Sequence, residues 1–220
     1  MENCKLLLFD LDGTLLRNDK TISQTTLKAL RECRKKGILI GVSTSRGEQN
    51  ALSFIEELQP DVLIASGGAL VKYHGEYIYK AEFLGEETSQ MIAAARKICG
   101  ADCEITIDTI DSHYWNYKID PKKQDHSWGD SIYTDFIDFN ESSLKMCVEI
   151  FEESQAKRLQ ELLHECDCIR FSDGYWYKFT GKGAAKEKAD LVIGSNDEDG
   201  IAEYLAAAFL KKVSNDNQER

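Results

Sequence analysis

Four apolar residues in a row, Leu6-Leu7-Leu8-Phe9, lead straight into Asp10-Leu11-Asp12-Gly13-Thr14. An uninterrupted run of this kind reads as a strand covered on both faces, as in parallel sheets. Parallel sheets bind their ligands beyond the carboxyl ends of the strands, which places Asp10 and Asp12 at the mouth of a site. Gly13 lets the backbone turn and come close to a ligand, and Thr14 offers a hydroxyl and a main-chain N–H to an anionic oxygen. Carboxylates gathered this closely repel one another. A divalent cation that favours hard oxygen ligands, Mg²⁺, is their natural companion.

The rest of the chain narrows the class of protein. Its 220 residues suffice for a substantial core, and the formal net charge of −11 argues against a general nucleic-acid binder, which needs a basic face. No stretch reaches the roughly 18 apolar residues of a membrane span. The amino terminus enters a strand without the basic segment and apolar core of a signal peptide, so a cytoplasmic protein with no membrane partner is expected. The seven cysteines are an odd number and scattered, which points to free thiols. Cys166 and Cys168 fall on one face of an alternating strand, where buried thiols are the expectation rather than a metal site.

Beyond Thr14, Ser23 reads as the cap of a helix over 25–36 stopped by Gly37, followed by a buried strand Ile38 to Val42. This is a βαβ unit with two parallel, adjacent strands. The second ends in Ser43-Thr44-Ser45-Arg46, at the same sheet edge as Asp10. A helix from Glu48 to Leu58 and a strand from Asp61 to Ala65 make the second crossover, and Val71 to Tyr79 alternates around a glycine turn like a hairpin. From about 83 to 171 the pattern becomes α+β: helices at 86–98 and 155–166, with strands at 103–107, 113–118, 145–151 and 168–171. Trp115, Trp128 and Trp176 are expected mainly in the core of that layer. His113, His126 and His164 lack metal spacing and read as surface or structural.

The stretch ending in Asp10-Leu11-Asp12-Gly13-Thr14 resembles motif one of the haloacid dehalogenase superfamily, and Thr44-Ser45-Arg46 resembles motif two of its Cof-type branch, which usually reads Thr-Gly-Arg. The resemblance implies a Rossmann-like parallel core with an inserted α+β cap, here 1–81 and 172–220 for the core and 82–171 for the cap. It implies Asp10 as the nucleophile that takes the phosphoryl group and Asp12 as the acid and base. Gly13 and Thr44 would bind the phosphoryl oxygens with help from Arg46, and Mg²⁺ would sit on Asp10 and Asp12. Lys182, followed by Gly183-Ala184-Ala185, looks like the motif three lysine. The implied substrate is a small phosphorylated metabolite, hydrolysed or isomerised.

Two departures from the family pattern stand out. Gly67 occupies the place where relatives commonly carry Asn. The acidic motif four is missing, because the seven residues between Lys182 and Asp190 are too few for a helix of ~11 residues and a strand of ~5. A core truncated in this way leaves two consequences open. Metal affinity should fall, and the first strand must take Asp190 to Ile193 as a neighbour or self-associate through an exposed sheet edge. The acidic turn Asp197 to Asp199 reads as a helix start before 201–212. An active phosphatase and an impaired relative that only binds phosphoryl ligands are the two readings left.

Overall fold

The computed structural model describes residues 5–118, 121–123, 129–172, 174–182, 199–206 and 208. Its first sheet follows the chain in the order β1 (Leu6–Asp10), β2 (Leu39–Ser43), β3 (Val62–Ala65), β4 (Leu70–Tyr73) and β5 (Glu76–Lys80). The first three strands are parallel, and β4 and β5 add an antiparallel hairpin. Its turn has both His74 and Gly75 at positive φ. This is the mixed α/β architecture expected, with three parallel strands among the described residues.

Helix α1 (Gln24–Lys35) connects β1 to β2, and α2 (Glu48–Ile55) connects β2 to β3. Ser23 caps α1 as anticipated, its hydroxyl accepting from the Thr26 N–H at 3.0 Å. Leu27 and Leu30 of α1 pack with Ile40 and Val42 of β2 and Ile55 of α2 in one core. The described part of α5 (Gly200–Leu205) adds Ile201 and Leu205 to it.

The first strand departs from its expected burial. Leu7 and Phe9 pack on the core, but among the described residues Leu6 and Leu8 are 40% and 45% exposed on the other face. Within those residues β1 ends the strand order beside β2; Asp190 to Ile193 lies outside them.

A second sheet has the order β10-β11-β9-β6-β7-β8. It consists of β6 (Ile105–Asp108), β7 (His113–Trp115), β8 (Ile132–Tyr133), β9 (Lys145–Glu149), β10 (Cys166–Arg170) and β11 (Trp176–Gly181), with helices α3 (Gly85–Cys99) and α4 (Glu153–Leu162). The core between helices and sheet holds Met91, Ile92, Ile105, Ile107, Met146, Val148, Leu159, Tyr177 and Phe179, with Cys166 and Cys168 packed against it.

Three expectations need correction here. The layer does not stop at 171: β11 pairs with both β10 and β9 and sends Tyr177 and Phe179 into the second core. The second helix ends at Leu162, because Cys166 already pairs with Gly181 in the sheet. Trp115 and Trp176 are not core residues; they sit on the opposite face of the sheet, with ring centroids 6.4 Å apart. Trp128 and His126 lie outside the described residues.

That opposite face is polar, and the strand register shows why. Antiparallel partners share a face, so His113, Asp108, Lys145 and Thr180 form one cross-strand row. Trp115, Thr106, Cys147 and Lys178 form the next. Asp108, Lys145, Lys178 and Thr180 are all buried, because this face lies against the loops at the carboxyl end of the first sheet.

Candidate active site

Asp10 is the last residue of β1 and is paired in register with Ser43, the last of β2. The neighbouring loops therefore leave the sheet side by side. The first is held by Leu11, Leu15 and Leu16, all essentially buried in the core, and by Leu15 N–H donating to the Asp10 carbonyl at 3.2 Å. With the leucines turned inward, Asp10, Asp12 and Thr14 are left at the surface of the cleft. Gly13 makes the turn at φ 73°, where only glycine is unstrained. The Thr14 hydroxyl lies 3.5 Å from an Asp10 carboxylate oxygen.

In the second loop, Thr44 is 1% exposed and its hydroxyl accepts from the Arg46 N–H at 3.1 Å. A hydroxyl used as an acceptor can still donate its own proton. Arg46 is not a solvated helix-start residue. It is buried, its guanidinium stands 4.5 Å from the Phe54 ring centroid, and it grips Asp12 with two hydrogen bonds, Nε to Oδ2 at 2.7 Å and Nη2 to Oδ1 at 2.8 Å. Lys20 adds a third at 2.9 Å to Asp12 Oδ1. Burial pushes the Asp12 carboxyl up, but the bonds and charges of Arg46 and Lys20 outweigh it and hold the group below the ordinary carboxylate range.

The Lys182 side chain is 56% exposed and pairs with Glu165 at 3.4 Å, beyond the end of β11. Asp199, the described member of the acidic turn, makes no side-chain cap on α5; its carboxylate pairs with Arg17 at 2.9 Å. Asp197 and Glu198 lie outside the described residues. Among the described residues no three His, Cys, Asp or Glu side chains converge as a metal cluster. A carboxylate on Asp10 with the Asp12 main-chain carbonyl is still a hard-oxygen pair of the kind Mg²⁺ accepts when waters and a substrate phosphate complete its shell. The Asp12 carboxylate itself is committed to Arg46 and Lys20.

The second sheet closes over the same loops with residues that spacing did not single out. Lys145 donates to the Ser45 carbonyl at 2.7 Å and pairs with Asp108 at 2.7 Å. Asp108 also meets His113 Nδ1 at 2.5 Å and accepts from the Ser66 hydroxyl at 3.3 Å. Burial pushes the Asp108 carboxyl up, and the Lys145 charge together with His113 outweighs this and holds it well below its ordinary value. Burial depresses Lys145, the Asp108 charge more than compensates, and the ammonium is held above its ordinary value. His113 thus has the structural role foreseen for it, at a cross-sheet contact. A charged pair at matching positions of two strands is the one signal that was available in the sequence.

The fold and its paired loops define an α/β protein with carboxylates at the strand ends of a parallel sheet. The chain belongs to the haloacid dehalogenase-like hydrolase family, whose model matches residues 7–186. A 5-amino-6-(5-phospho-D-ribitylamino)uracil phosphatase of Bacillus subtilis is 26% identical over 237 aligned residues, covering 91% of this chain and 94% of the relative. That alignment is longer than the chain itself. A phosphoglycolate phosphatase of Pyrobaculum neutrophilum is 41% identical over 75 residues, about a third of each protein. Among solved structures, a haloacid dehalogenase-like hydrolase from Bacteroides thetaiotaomicron superposes with a TM-score of 0.75 at 17% identity, covering 94% of this chain and all of that one. A subclass IIB sugar phosphatase reaches 0.65 at 23% identity, covering 92% of this chain and 76% of its own.

Proposed function

We propose that the protein is a Mg²⁺-dependent phosphatase of small phosphorylated metabolites, sugar phosphates among them, working through a phosphoryl group carried on Asp10. The observation that carries this reading is the register of β1 and β2, which brings Asp10 beside the Thr44 loop while Asp12 stands two residues further on in the grip of Arg46. The relatives' named substrates, small and phosphorylated, support the substrate class.

A carboxylate oxygen of Asp10 attacks phosphorus, and the bond from phosphorus to the ester oxygen breaks. The leaving oxygen takes a proton from Asp12. In the second half, water attacks the aspartyl phosphate, Asp12 receives the water proton, and inorganic phosphate departs with Asp10 restored. Bound Mg²⁺, held by Asp10 and the Asp12 carbonyl, would offset the charge of phosphoryl and nucleophile. Thr44 and Gly13 orient oxygens.

Asp12 must first become an acid. Held by Arg46 and Lys20 it is ionised, and a phosphoryl dianion entering the cleft gives both cations a second anion to bind. Loosening their grip lets the Asp12 carboxyl rise toward the working pH, where general acids are effective. The second sheet, from about 82 to 181, serves as the cap that excludes water, on a cytoplasmic enzyme.

The test is release of phosphate from an aryl phosphate by the purified protein with and without Mg²⁺, beside Asp10→Asn. Turnover that requires both metal and Asp10 is expected. Equal rates for the folded wild type and Asp10→Asn would overturn the reading and leave ligand binding in its place.

A further inference from the structure

Three consecutive main-chain carbonyls of the loop between β2 and α2 are all taken, and their donors come from both sheets. Gly67 N–H donates to the Thr44 carbonyl at 3.1 Å and Ser66 N–H to the Arg46 carbonyl at 2.6 Å. Between them, Lys145 Nζ donates to the Ser45 carbonyl at 2.7 Å. Thr44 and Arg46 are the side chains of this loop that the proposed chemistry uses. Their backbone is therefore held by the turn after β3 together with one side chain of β9.

The turn needs holding in its own right. Ser66 stands at φ 51°, a left-handed conformation that a non-glycine residue keeps only where its surroundings enforce it. Ser66 and then Gly67, at φ 67°, give successive N–H groups to the Thr44 loop. Asp108 of β6 secures the Ser66 side chain: the hydroxyl donates to Asp108 Oδ2 at 3.3 Å, and the same oxygen pairs with Lys145 at 2.7 Å. His113 Nδ1 meets the other oxygen, Oδ1, at 2.5 Å. The carboxylate reaches this place because residue 47 is glycine, where a Cβ would stand 3.0 Å from it.

A buried ion pair is a poor device for stability, because desolvation offsets most of the attraction. What it supplies is a fixed geometry, and here that geometry ends on the backbone beneath Thr44 and Arg46. We propose that Lys145 and Asp108 are positioning residues for the phosphoryl chemistry; this rests on the phosphatase reading above. Lys145 fixes the Thr44–Arg46 backbone through Ser45, and Asp108 fixes the Ser66 turn that clamps the same backbone. Both act through Thr44 and Arg46, so the orientation of those two side chains depends on β6 and β9 being seated against the first sheet.

The neutral double variant Asp108→Asn with Lys145→Met, which strands no buried charge, is compared with Lys145→Arg, Ser66→Ala and Phe179→Ala, each shown to be folded at the assay temperature. An aryl phosphate supplies kcat and KM, and hydrogen exchange reads the Ser66 and Gly67 amides. The double variant is expected to lower kcat by about 100-fold, as for a displacement of about 1 Å at a positioned group, with a smaller change in KM and faster exchange at both amides. Lys145→Arg keeps a cation able to bond Asp108 and the Ser45 carbonyl, and should stay within about tenfold of wild-type kcat. Ser66→Ala cuts the Asp108 arm alone and should lower kcat by about tenfold. Phe179→Ala damages the second core and should leave kcat near that of wild type. Wild-type kcat in the folded double variant would overturn the proposal, and wild-type kcat in Ser66→Ala would remove Asp108 from it. A loss in folded Phe179→Ala equal to that in the double variant would overturn it as well, since loosening of the second sheet would then suffice. A wild type that releases no phosphate would remove the phosphatase reading, and exchange at the two amides would still decide the seating: faster in the double variant if β6 and β9 hold the loop, unchanged if they do not.

Discussion

At the residue scale, the active-site chemistry turns on how two cations share one carboxylate. Arg46 is buried and doubly bonded to Asp12, so Arg46→Met removes the main force that keeps Asp12 ionised and, on the function proposed above, a phosphoryl-binding group. Its kcat/KM for an aryl phosphate should fall about 100-fold. The sign of the accompanying pH effect follows from the direction of the shift. Arg46 lowers the Asp12 carboxyl, so without it the group titrates higher. The limb where activity falls with loss of the acid's proton moves to higher pH, and a pH–rate profile of the variant against wild type checks this. A profile displaced to lower pH would mean that Asp12 is not the acid. The places of Asp10, Asp12, Gly13 and Thr44 at two strand ends were readable as a string of letters because a covered strand and a turn leave a local pattern. The orientation of Arg46 was not: a solvated and a bidentate arginine have the same sequence.

At the scale of elements, the contact between the two sheets rests on β6 and β9. Asp108 and Lys145 are fully paired and buried, and removing one partner strands the other's charge. Asp108→Asn should therefore cost about 3–5 kcal/mol, measured by urea unfolding, and the double change Asp108→Asn with Lys145→Met should be less harmful than the sum of the singles. Because the folded Asp108 carboxyl is held below its unfolded value of about 4, its contribution to stability is present above that pH. It is lost as pH falls through the lower folded value. Wild type should lose stability below about pH 5 more steeply than Asp108→Asn. The element most underestimated from sequence is β11. Tyr177 and Phe179 alternate with Lys178 and Thr180, and Asp173-Gly174 before them is a hairpin turn signal. A lysine in the middle of the run hid the strand, because alternation cannot say that the polar face is itself buried against another sheet.

At the scale of the molecule, two cores meet through a polar face. Phe179 is wholly buried in the second core, and Leu30 in the first. Phe179→Ala should cost about 3–5 kcal/mol, and hydrogen exchange should show the loss of protection in the second sheet exceeding that in β2 and β3. Equal loss across both sheets would show instead that the polar contact makes one cooperative unit. No described helix is long and apolar enough to cross a membrane.

The sequence by itself determined the family, the α/β alternation and the pair of aspartates, because a covered strand, a tight turn and a capped helix each leave a local pattern of residues. Only the tertiary structure decided which cations face that pair. Arg46 reaches Asp12 from the neighbouring loop, 34 positions further along the chain, and Lys182 pairs with Glu165. Charges act through space, and the distances that set them belong to the folded chain.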